Sequence, residues 1–108
     1  MIHETPRKHI VTSLILILSL TGCAEVNYQR LNDPSRDTWQ KPQEVIEKLS
    51  IAPGSPVADL GAGGGYFTWH LVRAVGARGM VYVVDINLAA LDMIFREMVA
   101  RGTPNVRP

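Results

Sequence analysis

The sequence predicts an α/β fold, in which a parallel sheet carries flanking helices and only a βαβα portion of the sheet is present. Two apolar runs of strand type, Pro56–Leu60 and Met80–Val84, are each followed by a segment with apolar residues at helical spacing. A glycine-rich loop, 61–65 (Gly-Ala-Gly-Gly-Gly), joins the first strand to its helix, and Asp85 follows the second strand. Strands that alternate with helices in this way pair in parallel through right-handed crossovers.

The two helices are predicted from their apolar stripes and their end signals. The first spans Tyr66–Val75, where apolar residues recur at three- and four-residue spacing, and Gly76 ends it. The second spans Leu88–Arg101, with Asn87 as its N-cap and Gly102 just beyond its last residue. We expect the apolar stripe of the second helix to face the sheet; it comprises Leu88, Leu91, Ile94, Phe95 and Met98.

Three segments divide the chain. Residues 1–22 form a predicted signal peptide, residues 23–41 a polar tether and lead-in segment, and residues 42–108 a partial domain that begins with a short helix at Pro42. The lead-in segment shows neither a helical nor an alternating apolar pattern. Residues 105–108 have the character of an approach to a third strand, so we expect the domain to be incomplete within this chain.

The composition allows one small domain. The chain has 108 residues, of which 46% are hydrophobic and 19% charged, and eleven basic against ten acidic residues leave a net charge of +1. Because there is no basic run or aromatic–basic stripe, nucleic acid is not an expected partner. The lone cysteine excludes a disulfide framework or a cysteine-rich metal site, and no metal ligands are predicted.

The N-terminal residues have the order of a secretory signal: a polar start with Arg7 and Lys8, an apolar run over 10–20 and then small residues. Residues 20–23, Leu-Thr-Gly-Cys, resemble the lipobox of bacterial lipoproteins, in which the cysteine is acylated and the chain is cut before it. The resemblance implies an exported chain that is lipid-anchored at Cys23 to a bacterial membrane, on its periplasmic side or at the cell surface. The alternatives are a buried core helix and a transmembrane anchor, which needs about 20 apolar residues.

The glycine run and Asp85 form the candidate binding site. In a parallel sheet, ligands bind beyond the carboxyl ends of the strands, so the loop after the first strand and the acid after the second face the same crevice. Glycines let a ligand approach the backbone closely and allow the positive φ that tight turns need. An acid about 20 residues after such glycines accepts hydrogen bonds from ribose in dinucleotide folds. The pair therefore predicts a site for a nucleoside.

Residues 57–68, Val-Ala-Asp-Leu-Gly-Ala-Gly-Gly-Gly-Tyr-Phe-Thr, resemble the first motif of class I, Rossmann-like methyltransferases that depend on S-adenosylmethionine, and residues 81–86 resemble the second motif. The resemblance implies that the acid after the first strand contacts the amino-acid end of the cofactor. It also implies that the glycines lie beneath the cofactor, that the second acid holds the ribose, and that the next residue lies against adenine. The cofactor-binding residues so implied are Asp59, Gly61, Ala62, Gly63, Gly65, Tyr66, Asp85 and Ile86.

Three functional interpretations stay open. The first is a methyltransferase with a small-molecule acceptor, whose isolated chain is at best marginally folded and inactive because a sheet edge lacks its neighbours. The second is a nonenzymatic lipoprotein remnant, because the family uses the cofactor in the cytoplasm whereas the signal exports the chain. The third is an NAD(P)-binding reductase module, which is disfavoured because Tyr66 occupies the third glycine position and Asp59 would repel a pyrophosphate.

No catalytic residue is predicted. Methyl transfer is an in-line displacement at a sulfonium methyl, and holding the nucleophile in line can supply much of the acceleration. Tyr66 is interpreted either as a packing residue or as a contact with the cofactor. His70, inside the first helix, is interpreted as a structural or surface histidine rather than as a base.

Overall fold

A computed structural model describes residues 26–108 of the chain. Short helical segments come first: α1 (Tyr28–Leu31), a 3-10 turn (Pro34–Arg36), α2 (Asp37–Gln40) and α3 (Pro42–Leu49). The alternating part follows: β1 (Pro56–Leu60), α4 (Tyr66–Val75), β2 (Met80–Val84), α5 (Leu88–Arg101) and β3 (Val106–Arg107). The predicted signal peptide and Cys23 lie outside the described residues.

The sheet has three parallel strands in the order β1-β2-β3. Val81 of β2 pairs with Val57 of β1 on one side and with Val106 of β3 on the other. The predicted α/β class, the parallel pairing and the bounds of both long helices are confirmed. The sequence predicted only the approach to a third strand. In the structure Val106–Arg107 already forms that strand and pairs with β2. A strand of two residues has no periodicity that a sequence pattern can show.

Helices α4 and α5 pack on one face of the sheet. The strand residues on that face alternate with residues of the opposite face, which stays exposed at Leu60, Tyr82 and Val84. The apolar runs therefore form strands that are covered on one side within the described chain. The buried core on the covered side includes Leu71, Val75, Val81, Val83, Ile94 and Val106.

The apolar stripe of α5 faces the sheet only in part. Ile94 is fully buried, and Leu91 and Met98 pack against the core. Leu88 and Phe95 are 79% and 49% exposed, so the expectation that they face the sheet was wrong. Around the helix axis, both residues lie to the same side of Leu91, Ile94 and Met98. The narrow sheet covers those three residues but not the side on which Leu88 and Phe95 lie.

The lead-in segment is more regular than its sequence pattern predicts. Local capping rather than apolar periodicity forms its turns: the Asn27 side chain accepts a hydrogen bond from the Arg30 backbone at 3.2 Å. Asp33 likewise accepts from the Ser35 backbone at 2.8 Å. Asn and Asp favour such local bonds at the start of a turn, and these short helices need no apolar face of their own.

We predict that Ile94→Val lowers the free energy of unfolding by about 1 kcal/mol, because it removes a buried methylene group without a polar change. Val99→Ala is the matched control on the same helix, since Val99 is 63% exposed. That control should change stability by less than about 0.5 kcal/mol. Urea unfolding of the full chain measures both, and equal losses would contradict the orientation of α5.

Candidate functional site

The glycine loop is held against the carboxyl end of β2. The backbone N–H groups of Gly61 and Ala62 both donate to the Val84 carbonyl, at 2.8 and 3.2 Å. Gly61, Gly63 and Gly65 have φ angles of 72°, 54° and 90°. This left-handed region is costly for residues with a Cβ, so these three glycines are required by the turn itself.

Gly64 is a glycine for a different reason. Its φ is not in the left-handed region, but a Cβ added there would lie 2.8 Å from the Asn32 side chain, from the Met93 side chain and from the Tyr28 carbonyl. The side-chain amide of Asn32 donates a hydrogen bond to the Gly64 carbonyl. The lead-in segment therefore lies directly against the middle of the loop.

Asp85 closes the loop from the end of β2. Its carboxylate accepts one hydrogen bond from the Gly63 backbone and one from the Asn87 backbone, each at 2.8 Å. The backbone N–H groups of Asn87 and Gly63 hold the pKa of the Asp85 carboxyl below its usual value, although partial burial acts in the opposite direction. The glycine loop and Asp85, which the sequence predicted to form one site, are thus in direct contact, and Asp85 is ionised.

Asp59, at the end of β1, has a different environment. Burial is the main cause that raises the pKa of its carboxyl, and the charge of Asp85 raises it further. The hydroxyl of Thr68 donates to Asp59 at 2.7 Å and opposes this shift. Thr68 is fully buried, and sequence reasoning assigned it no role. Its position on the apolar side of α4, one turn after the loop, is the signal that could have identified it.

The other predicted contacts differ in accessibility. Ile86 is fully exposed beside Asp85, whereas Ala62 is buried in the core. Tyr66 is only 8% exposed, and its hydroxyl donates to Asp37 at 2.5 Å. Burial and the bond to Asp37 raise the pKa of Tyr66 to about 12. The Tyr66 hydroxyl therefore engages the lead-in segment.

His70 is a buried residue with polar neighbours. Its ring is 8% exposed, with Nε2 3.9 Å from Asp37 Oδ1 and Nδ1 3.4 Å from the Arg73 guanidinium. Burial, and after it the charge of Arg73, lowers the pKa of His70, against the attraction of Asp37. The sequence assigned Asp37 no role of its own, although it lies in the stretch 36–42 that resembles the lead-in segment of some small-molecule methyltransferases. In the structure Asp37 contacts both Tyr66 and His70 of α4.

The described residues 26–108 contain no group of three or more His, Cys, Asp or Glu side chains that could hold a metal ion. The polar groups at the loop are instead backbone N–H groups and the two carboxylates of Asp59 and Asp85. Such a set suits an uncharged polar group or a cationic group better than a phosphate, because carboxylates repel phosphate.

Comparisons with known proteins agree with this chemistry. A model of the ubiE/COQ5 methyltransferase family matches residues 24–107. The ubiquinone/menaquinone biosynthesis C-methyltransferase UbiE of Legionella pneumophila is 38% identical over 71 residues, which are 62% of this chain and 28% of that protein. The rRNA 2'-O-methyltransferase fibrillarin of Debaryomyces hansenii is 40% identical over 65 residues, which are 58% of this chain and 18% of that protein.

A solved methyltransferase structure is also similar to this chain. A SAM dependent methyltransferase from Aquifex aeolicus superposes with a TM-score of 0.69 and 29% identity, over 74% of this chain and 43% of that one. The chain thus spans less than half the length of each of these three relatives. The comparisons support S-adenosylmethionine as the cofactor.

We predict a specific pH dependence from His70. Its folded-state pKa lies below the usual value, which is about 6.5 in unfolded chains. The neutral ring therefore contributes stability that is present above about pH 6.5 and is lost as the pH falls through the folded-state pKa. In a chain with His3→Gln and His9→Gln, His70 is the only histidine.

In that background the free energy of unfolding should fall between pH 7 and pH 5, and a further His70→Gln change should flatten the curve. Chemical unfolding at each pH measures this. A curve that keeps its slope after His70→Gln would contradict the buried, neutral histidine.

Proposed function

We propose, since this chain belongs to the ubiE/COQ5 methyltransferase family, that it binds S-adenosylmethionine at the glycine loop as the cofactor-binding part of a methyltransferase. The observation that supports this best is the hydrogen bond from Gly63 to Asp85 at 2.8 Å. It fixes an ionised carboxylate beside a loop without protruding side chains. Each carboxylate oxygen keeps a further lone pair, so Asp85 can accept from the two ribose hydroxyls of the cofactor.

Asp59 is suited to the amino-acid end of the cofactor. S-adenosylmethionine carries an ammonium group and a sulfonium and has no phosphate, so two carboxylates near the loop favour it by charge. The pKa of Asp59 is raised by burial and by Asp85. A cationic group placed between the two acids would lower that pKa and hold both in the ionised form. A dinucleotide would instead bring its pyrophosphate to the same place, which counts against the reductase interpretation.

Ile86 and the glycines complete the proposed site. Adenine is a flat apolar ring, and the fully exposed Ile86 next to Asp85 gives it an apolar surface. The positive φ angles of Gly61 and Gly63 keep the loop tight beneath the nucleoside. When bound, the cofactor supplies an electrophilic methyl group, and the residues described here bind and orient it. The contribution of this chain to catalysis is positioning.

We further propose a small molecule as the methyl acceptor. The Legionella relative, UbiE, is named for ubiquinone and menaquinone biosynthesis, and the matching family takes its name in part from ubiE. The fibrillarin relative is named for rRNA, but this chain has a net charge of only +1 and no basic run that would bind a phosphate backbone. These features favour the small-molecule acceptor.

A lipid anchor at Cys23 is proposed from the signal pattern of residues 1–23. Among residues 26–108, no helix combines the length and apolar character needed to cross a membrane. The same pattern favours the second candidate function, a nonenzymatic lipoprotein remnant. Export would separate the chain from the cytoplasm, where the family uses its cofactor. Transfer of a labelled methyl group distinguishes the two functions, because a nonenzymatic remnant can still bind a nucleoside.

We predict that the full chain binds S-adenosylhomocysteine and that Asp85→Ala weakens this binding at least about tenfold, since it removes charge-assisted hydrogen bonds to ribose. Isothermal titration calorimetry measures both affinities. Asp92→Ala is the control, because Asp92 is an exposed acid on α5 that pairs with Arg96 at 2.9 Å, and its affinity should equal that of the wild type. No binding by the wild type would contradict the proposal, and so would binding of NADH in its place.

We predict that Cys23→Ser abolishes lipid labelling of the chain. Bacterial cells that express the chain are grown with radioactive fatty acid, and the purified wild type should carry label. The serine variant should carry none and should keep residues 1–22, because the cut follows acylation of the cysteine. Equal labelling of the two chains would rule out the anchor at this residue.

A further inference from the structure

The described lead-in segment, residues 26–41, is attached to the glycine loop and its helix at two places. The first attachment is at Gly64, whose carbonyl accepts a hydrogen bond from the Asn32 side chain. The Tyr28 carbonyl lies so close that a Cβ on Gly64 would be 2.8 Å from it. This attachment depends on contact at the one loop glycine that has no positive φ among Gly61, Gly63, Gly64 and Gly65.

The second attachment is made by Asp37. Its Oδ1 accepts the hydroxyl of Tyr66 at 2.5 Å and lies 3.9 Å from Nε2 of His70. Tyr66 and His70 are each 8% exposed, while the Asp37 side chain is 52% exposed. Two buried polar groups of α4 therefore converge on one oxygen that comes from outside the sheet domain. Without Asp37 the buried Tyr66 hydroxyl would lose its hydrogen-bond acceptor, which is unfavourable.

Arg36 strengthens the second attachment. Its guanidinium lies 4.1 Å from the centre of the Tyr66 ring and 5.7 Å from that of Trp39. The Phe67 ring meets Tyr66 edge-on at 5.2 Å. Tyr66 is thus held at its hydroxyl by Asp37, on its face by a cation and at its side by an aromatic ring.

These contacts act on consecutive residues of the loop. Gly63 is bound by Asp85, Gly64 by Asn32, and Gly65 is followed directly by Tyr66. The turn at Gly65 has a φ of 90° and begins α4 without a side-chain cap. Because Ala62 carries the only side chain of the loop beyond a hydrogen atom, the conformation of residues 63–65 depends on the groups that hold them from outside.

We propose that Asp37 is a positioning residue, which holds the lead-in segment on Tyr66 and thereby fixes the glycine loop in the form that binds the cofactor. The link to the cofactor rests on the function proposed above. The effect of Asp37 on the segment and on the loop does not, so the two can be tested separately.

The first test measures the segment and the loop without any ligand. Trypsin cleavage after Arg30 and amide hydrogen exchange over residues 61–66 are followed by mass spectrometry on the full chain. Asp37→Ala should speed both by about fivefold, since a hydrogen bond to a half-exposed carboxylate is lost. Asp37→Asn keeps an oxygen acceptor for Tyr66 and should stay within about twofold of the wild type.

A second variant releases the lead-in segment without changing Asp37. Gly64→Ala places a methyl group against Tyr28 and Asn32 and should release the segment to a similar extent. Asp92→Ala, on the exposed side of α5, should leave cleavage and exchange unchanged. Unchanged exchange over residues 61–66 in Asp37→Ala would overturn the proposal, whatever Gly64→Ala does. If Asp37→Ala does not fold, Tyr66→Phe, which removes the hydroxyl that donates to Asp37, replaces it under the same criterion.

The second test measures cofactor affinity with a double-mutant cycle. Asp37→Ala and Tyr66→Phe should each weaken S-adenosylhomocysteine binding by about fivefold, and the double variant should be no more than about twofold weaker than either, because both changes remove one bond. If the losses of affinity from the two single changes multiply in the double variant, the coupling between Asp37 and Tyr66 is overturned. A wild type that binds no S-adenosylhomocysteine, with cleavage and exchange as expected, would refute the proposed function and leave Asp37 as the residue that positions the loop.

Discussion

The hydrogen bond between the Gly63 backbone and the Asp85 carboxylate is the interaction on which the candidate site depends. It joins the loop after β1 to the end of β2, 22 residues further along the chain. Only parallel strands bring these two points to the same edge of a sheet. Gly63 adopts a φ of 54° and donates its N–H to the acid, and the bond in turn favours the ionised carboxylate. Topology, glycine conformation and charge thus support one another at a single contact.

The two acids of the site have opposite pKa shifts because their surroundings differ. Asp85 is more accessible and is surrounded by backbone donors, which stabilise its charge. Asp59 is more deeply buried with one hydroxyl partner, Thr68, and burial destabilises its charge. Asp85 is therefore ready to accept hydrogen bonds from hydroxyl groups, whereas Asp59 gains most from a cation. A nucleoside that carries an ammonium group at its other end satisfies both demands.

The sequence predicted what depends on short-range patterns. The strands, α4 and α5 have apolar periodicity or β-branched runs. The glycine loop and Asp85 mark where the strands end. The contacts of Asn32 and Asp37 could not be predicted, because their partners lie 32 and 29 residues away and no periodic pattern connects them. The exposure of Phe95 depends on how much of α5 the sheet covers, which no feature of the helix sequence reports.

The glycine run shows why such a motif has to be interpreted one residue at a time. Gly61, Gly63 and Gly65 are required by backbone conformation, since each has a positive φ. Gly64 is required by the close approach of the lead-in segment, since a Cβ there would overlap the Tyr28 carbonyl. The first requirement shapes the loop for its ligand and can be inferred from the motif. The second exists only because a distant segment lies on the loop, so Gly64 marks the place where the lead-in segment covers it.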